Sequence, residues 1–262
     1  MKMEAGGTKR GVLAAALAAL LPVAAAAEDQ TVVVRDGDAI VYSGAITQQG
    51  NARVEALLAA GEGIEWLRIT SVGGEVNLGM DLGDLVRGHG LDVEVVDYCA
   101  SSCANYVFPA GRRKLLPADS VVVWHGSAIQ SGIGALANID FAPMEAHLGR
   151  TLSDEEKLAA AEEMGLTAYF DGLTRRQAEF YAAIGVDERV TVFGQEIDCG
   201  CDWTIPVEDM ARFGITGIEA PQGYGSHLRP MGREVVLLRL DDHPRYAEGI
   251  DATRAGAEGA SR

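Results

Sequence analysis

Short β-branched runs alternate with longer stretches of helical period along the first half of the chain. Residues 31–34 and 39–42 are two such runs, joined by Arg35-Asp36-Gly37-Asp38. An Asp-Gly pair between alternating apolar positions predicts a hairpin. In residues 51–60, Val54, Leu57 and Leu58 fall at i, i+3, i+4, and Gly61 follows as a stop, which predicts a helix. Residues 64–70 read as a strand that runs into Ser71-Val72-Gly73-Gly74. A helix over residues 75–87 follows. Leu78, Leu82, Leu85 and Val86 line one of its faces, and Gly79 and Gly83 leave another open to close approach. Val93, Val95 and Val96 mark the next strand, residues 92–96. Strand, helix, strand, helix in this order predicts an α/β domain with right-handed crossovers and a largely parallel sheet. The Gly73-Gly74 turn and the turn near residue 100 then fall at carboxyl ends of strands, where such sheets place their sites.

The second half is less regular. Residues 103–108 form a short apolar segment ended by Pro109 and Gly111, and residues 120–124 form a β-rich run that ends at His125. Residues 127–134 are a Gly-rich loop. Ser153-Asp154-Glu155-Glu156 has the spacing of a capping box and predicts a helix over residues 154–164. A second helix is expected over residues 167–184, a short strand over 190–193, a helix over 207–213 after Pro206, and a last strand within 234–240. Residues 241–262 are polar and small and read as a disordered tail.

Chemistry enters at the turn after the fourth predicted strand. Ser102 stands between a strand's end and a helix's start, so its hydroxyl projects from a fixed backbone. The amide of Cys103, the next residue, points at whatever that hydroxyl attacks, which is oxyanion-hole geometry. If the two strands are neighbours, His125 reaches Ser102 and serves as its base. Serine is also a common N-cap, and a register slip of one residue would promote Ser101 instead.

Three features place the chain. Lys2, Lys9 and Arg10 precede an apolar stretch, and Ala25 and Ala27 fit the small-x-small cleavage rule, so residues 1–27 read as a removable export signal. No stable membrane insertion is expected after cleavage. The residues left, 28–240 before the tail, suffice for one α/β domain. The formal net charge of −16 argues against a nucleic-acid partner or an anionic membrane surface. The four cysteines fall in two close pairs, Cys99 with Cys103 and Cys199 with Cys201. An exported chain with an even count suggests disulfides, with three pairings open. A zinc site fits less well, because the Cys199-x-Cys201 spacing is tighter than the usual knuckle. No metal or organic cofactor is implied.

Taken together, the motifs resemble the ClpP/crotonase superfamily, and within it the ClpP-like serine peptidases. The resemblance runs through Ile40-Val41-Tyr42-Ser43-Gly44, Ile69-Thr70-Ser71-Val72-Gly73-Gly74, Ala100-Ser101-Ser102-Cys103-Ala104, Val122-Val123-Trp124-His125, and the segment from Pro206 to Ile215. It implies a fold of repeated ββα units with a largely parallel sheet and flanking helices. It implies Ser102 as nucleophile, His125 as base, and the amides of Gly74 and Cys103 as oxyanion hole, with Gly73 the alternative to Gly74. The triad acid falls near Asp198, with Asp202 competing and Asp171 a third choice. It further implies a peptide or protein substrate, an acyl-enzyme and a homo-oligomer. A non-catalytic member that keeps the fold as a binding scaffold is the other expectation.

Overall fold

The structure is a computed structural model that describes residues 31–130, 140–225 and 234–260, with side chains described as far as 253. The expected leader, residues 1–27, lies outside the described residues, as do residues 131–139, which take in part of the loop expected over 127–134. Strand β1 (Val32–Asp36) and strand β2 (Ala39–Ser43) form the expected antiparallel hairpin. Helix α1 (Gln48–Ala60) follows, capped by Thr47, whose side chain accepts from the Gly50 amide. Strand β3 (Trp66–Ser71) pairs parallel to β2. Its burial alternates, and Leu67, Ile69 and Ser71 face the core. Helix α2 (Val76–Gly88) begins at Glu75, whose carboxylate accepts from the Leu78 amide.

Strand β4 (Asp92–Ala100) is the centre of the sheet. It is longer than the apolar run 92–96 suggests. Its pairing with β3 shifts register between Ile69 and Ser71, leaving Val96 largely exposed, and resumes at Cys99. Such a shift bends and re-aims a strand's end. Beyond β4 the edge is shared. Strand β5 (Lys114–Leu115) pairs with its first half, and strand β6 (Val121–Val123) with its last three residues, both parallel. The sheet order is β1-β2-β3-β4-β5, closed by β8 (Ile218–Glu219) beyond β5. The chain is therefore the expected α/β domain with a largely parallel sheet and flanking helices.

Three short or late segments depart from the pattern. Residues 190–193 do not form a strand. They belong to a 3-10 turn, Glu188–Thr191, and a one-turn helix α7, Phe193–Glu196, counting α3 (Phe108–Ala110), α4 (Ala142–Leu148), α5 (Asp154–Glu163) and α6 (Leu166–Ile184) before it. Their bulky side chains are buried against the α-helical layer, so packing overrides β propensity. Strand β7 (Asp202–Thr204) pairs with β9 (Val235–Leu237) in a second small sheet. It joins the main sheet through reciprocal backbone bonds between Trp124 and Trp203. Residues 241–262, expected to be disordered, instead carry helix α9 (Pro244–Ala260), which follows α8 (Val207–Arg212). Ala247 and Ile250 of α9 are buried, and Arg212 binds Asp251 at 2.8 Å, so an apolar stripe and an ion pair dock the helix. Among the described residues no helix is long and apolar enough to cross a membrane.

Candidate active site

The carboxyl ends of β3, β4 and β6 meet in a cleft of about 770 Å³. Each strand contributes a turn. After β3, the Ser71 hydroxyl accepts from the Gly73 amide at 3.1 Å and sets a tight loop. Gly73 holds φ +92, and its Cα lies against the next turn: a Cβ would stand 2.7 Å from the Ser101 Cβ and 2.8 Å from the Ser102 nitrogen. Glycine is thus required both by the backbone and by the contact. The Gly73 carbonyl accepts from the Ile46 amide at 2.8 Å, which ties this loop to the segment after β2.

After β4 comes Ser101, with φ +56. A left-handed conformation is rare for a residue with a side chain and persists where the surroundings enforce it. Here the Ser101 amide donates to the Val123 carbonyl at 3.0 Å, continuing the ladder, while the Ser101 carbonyl accepts from Asn105 at 2.8 Å, opening the helix. The reversal from strand to helix therefore happens at this residue. A π-helical turn, Cys103–Val107, follows and runs into α3. Gly79 and Gly83 let this turn press onto α2. A Cβ on Gly79 would meet the Ser102 Cβ at 2.7 Å, and one on Gly83 would meet the Phe180 ring at 2.8 Å. Tyr106 is held edge-on between Phe180 and Tyr181 and donates to Gln177 at 2.7 Å. Cys103 is bonded to Cys99, and Cys199 to Cys201, so the bridges lie within each close pair. The first bridge spans the serine turn, and both of its sulfur-bearing residues are wholly buried.

The two serines differ. Ser102 is 2% exposed, and its hydroxyl donates to the Gly74 carbonyl at 2.7 Å. Ser101 is half-buried, lines the cleft, and its hydroxyl has no partner among the described residues. The backbone amides of Ser102, Cys103 and Gly74 also have no acceptor among the described residues, whereas that of Gly73 is engaged by Ser71. The start of a helix leaves such amides open, which suits a developing negative charge.

After β6, His125 stands exposed at the cleft's rim. The register sets Ala100 beside Val123, and the Ser101 amide bonds to the Val123 carbonyl, so the serine turn and His125 leave the ends of neighbouring strands. The His125 imidazole makes no hydrogen bond or ion pair among the described residues. The cleft thus brings together Gly73, Gly74, Ser101, Ser102 and His125. It does not include Asp198, Asp202 or Asp171. Asp198 is exposed on the turn after α7, with φ +56. Asp202 opens β7 half-buried, and Asp171 is exposed on α6.

Other residues line the cleft that no sequence motif singles out. Asn105 is 2% exposed, donates to the Gly126 carbonyl at 2.9 Å, and keeps its Oδ1 buried without a partner. Gln195 reaches in from α7. Glu75 and Tyr169 form one wall, joined by a 3.0 Å hydrogen bond. Burial works against the Glu75 charge, but the amides of Asn77 and Leu78 and the Tyr169 hydroxyl outweigh it and hold the carboxyl below its usual range. Val72, Val76, Phe170 and Leu173 supply the apolar surface. These positions were illegible because long-range packing, not local pattern, gathers them.

No family model matches the chain, and no curated protein matches it. Among solved structures, a mutant ClpP1 from Listeria monocytogenes is similar to it at 16% identity, over 71% of this chain and 94% of that chain, with a TM-score of 0.44.

Proposed function

We propose that this chain is an exported serine hydrolase that cleaves acyl bonds of peptides or proteins through an acyl-enzyme. The observation that carries the reading is Ser101: a serine in left-handed conformation at a strand-to-helix reversal, its hydroxyl unpartnered and facing a cleft that holds a histidine. Strain at such a point holds a nucleophile clear of its own backbone. Between the two serines, the geometry favours Ser101 over Ser102, whose hydroxyl is buried and already committed to the Gly74 carbonyl.

In this reading Ser101 Oγ attacks the substrate carbonyl carbon and its proton passes to the His125 imidazole. The carbonyl oxygen becomes an oxyanion and is received by the open amides of Ser102 and Gly74. Collapse breaks the acyl bond, and the imidazolium returns its proton to the leaving amine. Water repeats the sequence on the acyl-enzyme and regenerates Ser101. Catalytic hydrogen bonds commonly close only around substrate, so an unpaired imidazole at rest is compatible with this role. Ser102 as nucleophile would instead use the Cys103 amide. The two disulfides fit an oxidising compartment, in keeping with the export signal expected from the sequence. The resemblance adds a homo-oligomer.

Labelling with a fluorophosphonate tests the proposal, on exported protein whose N-terminal mass should start near Glu28. Wild type should label, Ser101→Ala and His125→Ala should not, and Ser102→Ala should keep labelling within about tenfold. Loss in Ser102→Ala alone would move the nucleophile by one residue. A folded wild type that never labels would leave the fold as a binding scaffold, a reading that draws on the absence of any aspartate from the cleft lining among the described residues.

A further inference from the structure

A serine–histidine pair needs an acceptor for the second imidazole N–H, to fix the tautomer and steady the imidazolium. Among the described residues no aspartate lines the cleft, and the one carboxylate that does, Glu75, is already spent capping α2 and accepting from Tyr169 and Asn77. We propose that Gln195 fills this place, its Oε1 accepting the imidazole N–H of His125 that faces away from Ser101. The inference rests on the hydrolase reading above and names the residue that positions its base.

Three observations converge. Gln195 Nε2 donates to the backbone carbonyl of His125 itself at 3.1 Å and to Gln130 Oε1 at 2.9 Å. Two acceptors on one end fix the amide's sense and turn its oxygen away from both. That oxygen is buried, has no partner among the described residues, and belongs to a side chain lining the same cleft as His125. A buried acceptor without a donor is costly, so it is best explained by a donor that arrives during function. Finally, Gly126 makes room for this amide. It holds φ +130, and a Cβ there would strike both Gln195 Nε2 and Gln130 Oε1. The residue after His125 is thus kept bare so that the amide can lie against the histidine's own backbone. A neutral amide is a sufficient partner for an imidazole in other nucleophilic hydrolases.

The test pairs labelling with titration of the His125 imidazole by NMR on the full chain. Gln195→Met, near in shape but without acceptor or donor, should slow labelling roughly ten- to a thousandfold with the unfolding temperature kept. Gln195→Glu retains an acceptor and adds charge. It should move both the His125 titration and the acid limb of the labelling profile upward by about one pH unit or more and restore labelling above that of Gln195→Met, a rescue that a structural role resting on the Nε2 donor would not show. Asp198→Asn and Asp202→Asn should leave the titration in place. The proposal is overturned if Gln195→Glu leaves the titration unmoved, if Gln195→Met labels at the wild-type rate, or if either aspartate variant carries the slowing instead. A wild type that never labels defeats the hydrolase reading, while the titration still decides the contact. If Gln195→Met does not fold, the Glu variant decides alone.

Discussion

Asp92, at the start of the central strand, has no exposed side-chain surface and faces two arginines. Arg112 Nε and Arg113 Nε each donate to it at 2.9 Å, the Nη2 of each donates as well, and the Arg113 amide adds a fifth bond at 3.1 Å. Burial alone would push the carboxyl up. The hydrogen bonds from Arg112 and Arg113 outweigh it and bring the pKa down to about 2. A carboxylate whose folded pKa lies below its unfolded value of about 3.9 stabilises the fold when ionised. That contribution, about 2 kcal/mol, is complete above pH ~4 and is lost as pH falls through about 2. The stability difference between wild type and Asp92→Asn, measured by urea unfolding, should therefore shrink by about that amount between pH ~5 and pH ~2. A constant difference would deny the carboxylate its charge-dependent role. At this scale the serine turn and the histidine were legible, because strand–turn–helix patterning marks where a side chain is presented. Which serine is presented was not. The choice turns on the φ of one residue, and alternation of apolar positions carries no record of it. Gln195 was invisible for a related reason: a lone amide gains meaning only from the bare glycine it lies against.

Helices and strands with a clear period were readable to within a few residues, as in α2, α5 and α8. The elements that escaped are those whose stability comes from distant partners. β5 and β8 are two residues each and exist only as rungs of a ladder. Phe193 sits in a helical turn because its ring packs 4.8 Å from that of Tyr246 and 6.1 Å from that of Phe213. α9 carries too few apolar residues to announce itself, yet Ala247 and Ile250, spaced i, i+3, seat one face on the core. Ile250→Ala should lower stability by about 2–4 kcal/mol in denaturant unfolding. An unchanged midpoint would mean the helix does not dock in solution.

For the molecule as a whole, the parallel sheet followed from the order of its parts, while the shared outer edge of β4 did not. Two short strands share that edge, and the cleft lined by Ser101, Ser102 and His125 lies at the end where β6 is the neighbour. The Cys99–Cys103 bridge closes a ring around the serine turn and lies out of reach of solvent. On the hydrolase reading this gives the chain a natural latency. Made where thiols stay reduced, it would carry its serine on an unclosed turn. Carried to oxidising surroundings, it would arm itself by forming one bond, and with both sulfurs buried that step would not readily reverse. Protein refolded with capped thiols should accordingly label far more slowly than oxidised protein of equal helix content, and equal labelling would remove the bridge from this role. On that reading, place would decide when the serine is armed.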